Sequence, residues 1–202
     1  MDPTAIRAKF GDDYAGNERT FRLGIDIRLA RLIGERYKGR TVFETCTGAG
    51  FTTIALAEVA KHVVTVEIDP GHQAQARANI LRARLLDKVT FVQGDSLSEP
   101  VLSQVRASDA AFLDPDWAVT GPNHICRFRH SNMLPPADTL LEKVLARTEH
   151  AALILPPSID LAEIEDLPRH ELQRLYLGES HALYCLYFGA LATSSGDTEL
   201  HV

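Results

Sequence analysis

Seven short segments of the chain are almost continuously apolar, which is the pattern of β-strands buried on both faces. These segments are Thr41–Cys46, His62–Glu67, Val89–Val92, Ala110–Leu113, Ala151–Leu155, Leu172–Leu177 and Ala182–Phe188. Helical spacing and composition occur between them. The predicted helices are one that starts at Ile54–Ala57, then Gly71–Leu86, Leu97–Arg106, Ala137–Ala146 and Ile159–Glu165. The alternation predicts an α/β protein with a doubly wound, mostly parallel sheet of seven strands.

The last two predicted strands are joined only by Gly178–His181. A parallel connection needs a crossover of a dozen or more residues, so these strands must form an antiparallel hairpin. The pattern therefore predicts a Rossmann-like domain at 41–191 with a C-terminal antiparallel hairpin. Residues 1–40 are predicted to form a helical segment that packs on or flanks this core, and residues 192–202 a flexible tail.

The composition is ordinary for a globular domain. The chain has 202 residues, of which 45% are hydrophobic and 24% charged. No apolar run approaches the roughly 20 residues of a membrane span, and the start of the sequence lacks the pattern of a secretory signal. The three cysteines form no CxxC pair. We therefore expect reduced thiols, a cytoplasmic location and no membrane partner.

The net charge of −6 is unevenly distributed. Residues 1–40 contain nine basic and six acidic side chains, so this segment carries +3 and the remainder is strongly acidic. We interpret the arginines of this segment as solvated helix residues. A second basic cluster follows the predicted fourth strand and comprises His124, Arg127, Arg129 and His130. Its position beside a candidate substrate site favours an anionic substrate such as RNA.

Glycines and acids follow the first three predicted strands. Gly48 and Gly50 let the backbone turn sharply and approach a ligand closely. Glu67 ends the second strand, where a carboxylate can accept hydrogen bonds from both hydroxyls of a ribose. Asp95 follows the third strand and can accept from an adenine amine. Because ligands bind at the carboxyl ends of parallel strands, the set predicts an adenosine-containing cofactor.

A nicotinamide dinucleotide is the main alternative on this topology. Its fingerprint, GxGxxG/A, has a third small residue that seats the pyrophosphate. Here the residues after Gly50 are Phe51, Thr52 and Thr53, so the third small residue is missing. A terminal hairpin also fits a dehydrogenase poorly. The pattern favours S-adenosylmethionine.

Four motifs of the chain resemble one known family. They are Gly48-x-Gly50, Val66–Pro70, Val89–Asp95 and Phe112–Trp117. Together they resemble trimethylguanosine synthase and its relatives, the RNA cap guanine-N2 methyltransferase family, from about Thr20 to Leu191. The resemblance implies a class I methyltransferase that uses S-adenosylmethionine and methylates the N2 amine of guanine in RNA.

The resemblance also implies individual site residues. The implied cofactor contacts are Glu44, Gly48, Gly50, Glu67 and Asp95, and we add Thr47 of the same turn. The implied catalytic residues are Asp114, Pro115 and Trp117. In this interpretation the Asp114 carboxylate and the Pro115 carbonyl accept hydrogen bonds from both hydrogens of the amine. Trp117 stacks on the base, and such base–aromatic stacking typically contributes ~1–3 kcal/mol to binding. The alternative for Trp117 is an ordinary core position.

The chain departs from the family at this turn, where family members usually have Pro-Pro-Trp and this chain has Pro115-Asp116-Trp117. Asp116 adds a charge and an acceptor beside the base. Asp116, Arg127 and Arg129 are therefore candidate substrate-binding residues. Cys126 lies outside the turn and is interpreted as structural rather than nucleophilic.

Three functions remain open. The first is an RNA guanine-N2 methyltransferase that acts by direct methyl transfer. The second is a small-molecule S-adenosylmethionine-dependent methyltransferase, which the acidic net charge favours. The third is a non-catalytic S-adenosylmethionine-binding protein, for which Asp116 is the only indication. The histidines lack ligand spacing such as HxxxH, so no metal site is predicted.

Overall fold

A computed structural model describes residues 2–117 and 125–202 of the chain. Within these ranges eight strands form one sheet, in the order β3-β2-β1-β4-β5-β7-β6-β8. The strands are β1 Thr41–Thr45, β2 His62–Glu67, β3 Val89–Gln93, β4 Ala110–Leu113, β5 Ala151–Leu155, β6 His170–Leu177, β7 Ser180–Phe188 and β8 Asp197–His201. The strands from β3 to β5 pair in parallel. Strand β7 pairs antiparallel with both β5 and β6, which confirms the predicted hairpin.

The prediction that residues 192–202 form a flexible tail is wrong, because residues Asp197–His201 form a strand. Strand β8 pairs in parallel with β6, from Leu172 opposite Asp197 to Tyr176 opposite His201, so the sheet has eight strands rather than seven. The preceding loop is fixed by the buried carboxylate of Glu171, which accepts from backbone and hydroxyl donors of residues 193–198. A short polar strand at the edge of a sheet has little of the apolar pattern on which the prediction depended.

Seven α-helices lie in the described ranges: α1 Pro3–Phe10, α2 Glu18–Leu23, α3 Ile27–Gly34, α4 Phe51–Val59, α5 Pro70–Arg82, α6 Glu99–Leu102 and α7 Ala137–Leu145. Two predicted helices are shorter than expected. The segment predicted as Leu97–Arg106 is α6 followed by a 3-10 turn, in which Ser103 and Ser108 donate to backbone carbonyls. The segment predicted as Ile159–Glu165 contains only the 3-10 turn Leu161–Ile164.

Apolar side chains cover both faces of the sheet. Consecutive residues of β4 point to opposite faces, so Phe112 joins one core cluster and Leu113 the other. Helices α3 and α4 cover the first face, with Ile33 and Leu56 fully buried. Helix α7 covers the second face through Leu140 and its neighbours. This double covering is what the continuous apolar strands predict.

The N-terminal segment packs on the glycine turn that follows β1. Phe10 of α1 stacks on Phe51 at the start of α4, with ring centroids 3.6 Å apart. Asn79 of α5 accepts from the amide of Ala15 at 2.7 Å and donates to the carbonyls of Ala15 and Ala49 at 2.7 and 2.9 Å. One buried side chain therefore joins the N-terminal segment to the turn, and helix α2 lies beside the carboxyl edge of the sheet.

Candidate active site

A cavity of about 560 Å³ opens at the carboxyl ends of β1, β2, β3 and β4. The strand order reverses between β1 and β4, and such a switch point is where α/β sheets bind ligands. The cavity brings together most of the candidate residues from four separate parts of the sequence. Those that line it are Thr47, Gly48, Glu67, Asp95, Asp114, Pro115, Asp116 and Trp117.

The two glycines after β1 have different surroundings. Both have positive φ, 54° for Gly48 and 80° for Gly50, so both favour glycine. Among the described residues, a β-carbon at Gly48 would meet only the carbonyl oxygen of Cys46, at 4.0 Å, and would otherwise extend into open space. A β-carbon at Gly50 would lie 3.0 Å from the β-carbon of Ala76. Gly48 therefore leaves room for a ligand, whereas Gly50, which does not line the cavity, permits close packing of α4 on α5.

Glu67 holds the glycine turn and borders the cavity. Its Oε2 accepts from the amide of Gly48 at 2.8 Å, and its Oε1 accepts from the amide of Asp69 at 2.9 Å. A carboxylate has about four acceptor sites, so these bonds leave capacity for hydroxyl donors of a ligand. Asp95 accepts from the amide of Leu97 at 2.8 Å and lines the same cavity as Glu67.

These residues fit a cationic adenosine derivative. Glu67 and Asp95 line the cavity with carboxylates that could accept from ribose hydroxyls and an adenine amine, and the space beside Gly48 would admit a ligand close to the backbone. Ile68, which is 68% exposed, offers an apolar face beside them. Acids predominate along the wall, which suits the positive charge of S-adenosylmethionine.

Glu44 lies beneath the cavity instead of on its wall. It is 1% exposed, and its Oε2 has no hydrogen-bond partner among the described residues. Burial raises the pKa of Glu44 to about 7, and the negative charge of Glu67 contributes to the rise. Glu44, a predicted cofactor contact, therefore does not reach the cavity surface in this structure.

The segment after β4 brings a carboxylate to the same cavity. Asp114 is half-buried and lines the cavity, and Pro115 beside it is buried. Burial raises the pKa of Asp114 to about 8, with further contributions from the negative charges of Glu44 and Asp116. A carboxylate with a raised pKa is a stronger proton acceptor than an ordinary aspartate once it is ionised.

Asp116 is fixed by both its backbone and its side chain. Its amide donates to the carbonyl of Leu134 at 2.8 Å, and its carbonyl accepts from the amide of Leu134 at 3.0 Å. Its carboxylate forms an ion pair with the guanidinium of Arg19. Arg19 belongs to α2, so a residue of the N-terminal segment reaches the cavity wall.

Trp117 is partly buried, packs against both core clusters and also lines the cavity. Its carbonyl accepts from the thiol of the buried Cys126 at 3.2 Å. Burial raises the pKa of Cys126, which keeps the thiol protonated. This contact agrees with the structural interpretation of Cys126.

The predicted substrate-binding arginines after this turn do not line the cavity. Arg127 is exposed, and its amide donates to the side chain of Asn132 at 2.9 Å. The amide and Nε of Arg129 donate to Glu163 at 2.7 and 2.9 Å. His124, from the same predicted basic cluster, lies outside the described residues.

Several cavity residues carried no recognisable signal in the sequence. They are Arg19, Thr20, Cys46, Ser96 and the segment 134–136. The interpretation of the N-terminal arginines as solvated is wrong for Arg36, whose side chain is 16% exposed and pairs with Glu171. Arg19 is 44% exposed, as that interpretation expects, but its guanidinium also pairs with Asp116 at the cavity. Only tertiary packing brings these residues to partners far away in the sequence.

Two further features concern metals and membranes. Across residues 2–117 and 125–202, no group of three or more His, Cys, Asp or Glu side chains could hold a metal ion. In the same ranges no helix combines the length and the apolar character needed to cross a membrane.

Residues 39–182 match the profile of a family described as RNA cap guanine-N2 methyltransferase. A catechol O-methyltransferase from Mycobacterium tuberculosis is 36% identical over 118 residues, which cover 57% of this chain and 54% of that protein. A protein-L-isoaspartate O-methyltransferase from Anaeromyxobacter dehalogenans is 31% identical over 131 residues, which cover 64% of this chain and 59% of that protein. The chain thus spans somewhat more than half the length of these relatives.

Solved structures with the same fold include a protein from Porphyromonas gingivalis W83 that was proposed to be a methyltransferase. Its TM-score is 0.76 at 17% identity, with 92% of this chain and 47% of that chain covered. An rRNA methylase from Streptococcus thermophilus has a TM-score of 0.54 at 14% identity, with 80% and 96% covered. At such identities the similarity shows the fold alone, which is that of Rossmann-like class I methyltransferases.

Proposed function

Because this chain belongs to the RNA cap guanine-N2 methyltransferase family and is an S-adenosylmethionine-dependent methyltransferase, we propose that it methylates the exocyclic N2 amine of guanine in RNA. The observation that supports the proposal is that Asp114 lines the same cavity as the candidate cofactor residues Gly48 and Glu67. The use of S-adenosylmethionine for methyl transfer follows from the family. The guanine substrate and the roles of the residues are our proposals.

The proposed reaction has a simple balance. The bound donor would supply an electrophilic methyl group on a positively charged sulfur, and the bond from the methyl carbon to that sulfur breaks, which leaves the sulfur as a neutral thioether. The amine nitrogen gains one bond to carbon and must lose one proton. The chain therefore has two tasks, which are to hold the amine close to the methyl group and to accept its proton.

Asp114 is suited to both tasks. The lone pair of a guanine amine is delocalised into the ring, so the nitrogen is a weak nucleophile. Hydrogen bonds from the amine to the Asp114 carboxylate and to the Pro115 carbonyl would favour a tetrahedral nitrogen. The raised pKa of Asp114, about 8, makes its carboxylate a good acceptor for the departing proton.

Trp117 is proposed to hold the base. Its ring is partly exposed at the cavity, and a flat aromatic face can stack on any base. The cofactor would be held by Gly48, Glu67 and Asp95, with Thr47 beside them. Arg127 and Arg129, exposed outside the cavity, are proposed to contact RNA phosphates, and an RNA substrate is the proposed partner.

The test is transfer of labelled methyl from S-adenosylmethionine to total RNA, followed by nucleoside analysis. We expect label in N2-methylguanosine and a loss of about 10²–10⁴-fold in rate for Asp114→Asn. Asp87→Ala is the matched control, because Asp87 is exposed and does not line the cavity. Cofactor binding by both variants, measured by calorimetry, shows whether the cavity is intact. A wild-type protein that binds the cofactor and labels no guanosine would refute the proposal.

A small-molecule methyltransferase is the second candidate. The acidic net charge of −6 and the similarity to a protein named for O-methylation of a catechol favour it. Label in low-molecular-weight compounds of a cell extract, and none in RNA, would select this function. Cofactor binding without transfer to any component would select the non-catalytic alternative.

A further inference from the structure

The turn after β4 presents two carboxylates to the same cavity. Side chains two residues apart in an extended segment point to the same side. Asp114 and Asp116 both line the cavity, and Pro115 between them is buried. A family member with proline at the second position would present only the first of these carboxylates.

Asp116 is held more firmly than a surface acid. Two backbone hydrogen bonds to Leu134, at 2.8 and 3.0 Å, fix its main chain. Its side chain, which is 19% exposed, also pairs with the guanidinium of Arg19, which is 44% exposed. Arg19 is also the one arginine or lysine among the described residues that line the cavity.

The helix that carries Arg19 is itself anchored. Asn17 and Thr20 form a reciprocal capping box at its start, with both hydrogen bonds at 2.9 Å. Lys9 donates to the carbonyl of Phe21 at 2.7 Å, and its ammonium lies 5.0 Å from the centre of the Phe21 ring. Arg19 therefore extends from a fixed helix, and the N-terminal segment sets the position of Asp116.

Guanine presents two kinds of donor side by side on its Watson–Crick edge, N1–H and the N2 amine, whose nitrogens are both bonded to C2. An ionised carboxylate accepts only, and its roughly four acceptor sites let it contact more than one donor at a time. Two neighbouring carboxylates therefore match an edge with two neighbouring donors. Adenine has an unprotonated N1 on this edge, which a carboxylate repels.

We propose that Asp116 accepts the N1–H of guanine while Asp114 accepts from the N2 amine, and that Arg19 is the positioning residue for Asp116. This inference rests on the proposed function and narrows it. Because both donors are used in Watson–Crick pairing, the substrate class is an unpaired guanosine, as in a loop, a bulge or an RNA end.

The test compares two unpaired RNA oligonucleotides that differ at one base, guanine or 2-aminopurine. Both bases have the amine at position 2, but only guanine has N1–H. For the wild-type protein we expect kcat/KM to favour guanine by at least about tenfold, the effect of one hydrogen bond to a charged group. Asp116→Ala should bring the ratio close to one, and Arg19→Gln should lower it, mainly by raising KM for guanine. Arg19→Lys should recover part of the ratio.

A charge-reversed pair separates recognition from a purely structural role. The double variant Arg19→Asp with Asp116→Arg can form the ion pair again, so thermal unfolding and cofactor binding should return towards the wild-type values. Guanine methylation should not recover, because an arginine cannot accept N1–H. Arg22→Gln is the matched control, since Arg22 is exposed on the same helix and does not line the cavity.

Two outcomes would overturn the inference while leaving the proposed function in place. One is recovery of guanine methylation by the charge-reversed variant, which would make the pair structural. The other is an unchanged ratio of guanine to 2-aminopurine in Asp116→Ala. A wild-type protein that methylates neither RNA would instead refute the proposed function, and the inference with it.

Discussion

Arg36 and Glu171 form a buried ion pair through two hydrogen bonds, from Nη1 to Oε2 at 3.0 Å and from Nη2 to Oε1 at 2.9 Å. Glu171 is 1% exposed and also accepts from the amides of Thr193 and Ser194. Burial alone would raise the pKa of Glu171, but the hydrogen bonds from Arg36, Thr193 and Ser194 outweigh it and lower the pKa to about 2. One carboxylate thus joins the N-terminal segment, strand β6 and the segment that leads into β8.

Replacing Glu171 should destabilise the whole domain. Glu171→Ala leaves the Arg36 guanidinium uncompensated in a buried site, and loss of one partner of a buried pair costs about 3–5 kcal/mol. We expect a decrease of that size in the free energy of unfolding, measured with urea. Asp13→Asn is the control, because the Arg7–Asp13 pair is exposed and should contribute little. Equal effects of the two substitutions would contradict the assignment of Glu171.

The same carboxylate predicts the behaviour of the protein in acid. The pKa of Glu171 is lowered from 4.5 to about 2 on folding, so the folded state releases this proton more readily than the unfolded state. Its stabilising contribution is present above pH 4.5 and is lost as the pH falls towards 2. We expect the wild-type protein to lose stability more steeply over this range than Glu171→Ala. Unfolding curves measured at several pH values test this, and parallel pH dependences would argue against it.

Asp114 should have the opposite linkage. Its pKa is raised from 3.8 to about 8 on folding, so the folded state holds the proton more tightly than the unfolded state. Its contribution to stability is present below pH 3.8 and is lost as the pH rises through about 8. Asp114→Asn cannot ionise, so above pH 8 it should unfold at a higher temperature than the wild-type protein, with a smaller difference near pH 4. Thermal unfolding at both pH values decides the matter.

The rate of methyl transfer should rise with pH. Asp114 accepts an amine proton only when it is ionised, and its pKa of about 8 leaves it largely protonated in the free protein at lower pH. At low concentrations of both substrates we expect the rate to increase about tenfold per pH unit below pH 8 and then to level off. Initial rates from pH 6 to 9 provide the measurement. A flat profile over this range would exclude Asp114 as the proton acceptor.

Gly48 and Gly50 should respond differently to substitution by alanine. Alanine at either position must adopt a positive φ, which costs about 1–2 kcal/mol of stability for each variant. Gly48→Ala extends towards the cavity, so we expect weaker cofactor binding in calorimetry with a modest loss of stability. Gly50→Ala brings its β-carbon to 3.0 Å from that of Ala76, so the larger effect should be on unfolding. The reverse ranking would show that the two roles are wrongly assigned.

The sequence predicted most of the sheet because a strand covered on both faces must be apolar throughout. Strands β4 and β5 are such strands, and the short connection between β6 and β7 allowed only a hairpin. It did not predict β8, since an edge strand with alternating exposure has no such pattern. The same limit applies to the 3-10 turn Leu161–Ile164, where local capping by Asp160 replaces a longer helix.

The sequence by itself determined which candidate residue lies at or just after the end of each strand. These residues are Gly48, Glu67, Asp95 and Asp114. Parallel strands align their carboxyl ends, so residues far apart in sequence had to meet at one edge. Only the tertiary structure decided the rest. Glu44 of β1 is 1% exposed and does not line the cavity, because its strand is covered by other elements of the fold. Arg19 meets Asp116 because of how α2 packs, which the periodicity of neither segment encodes.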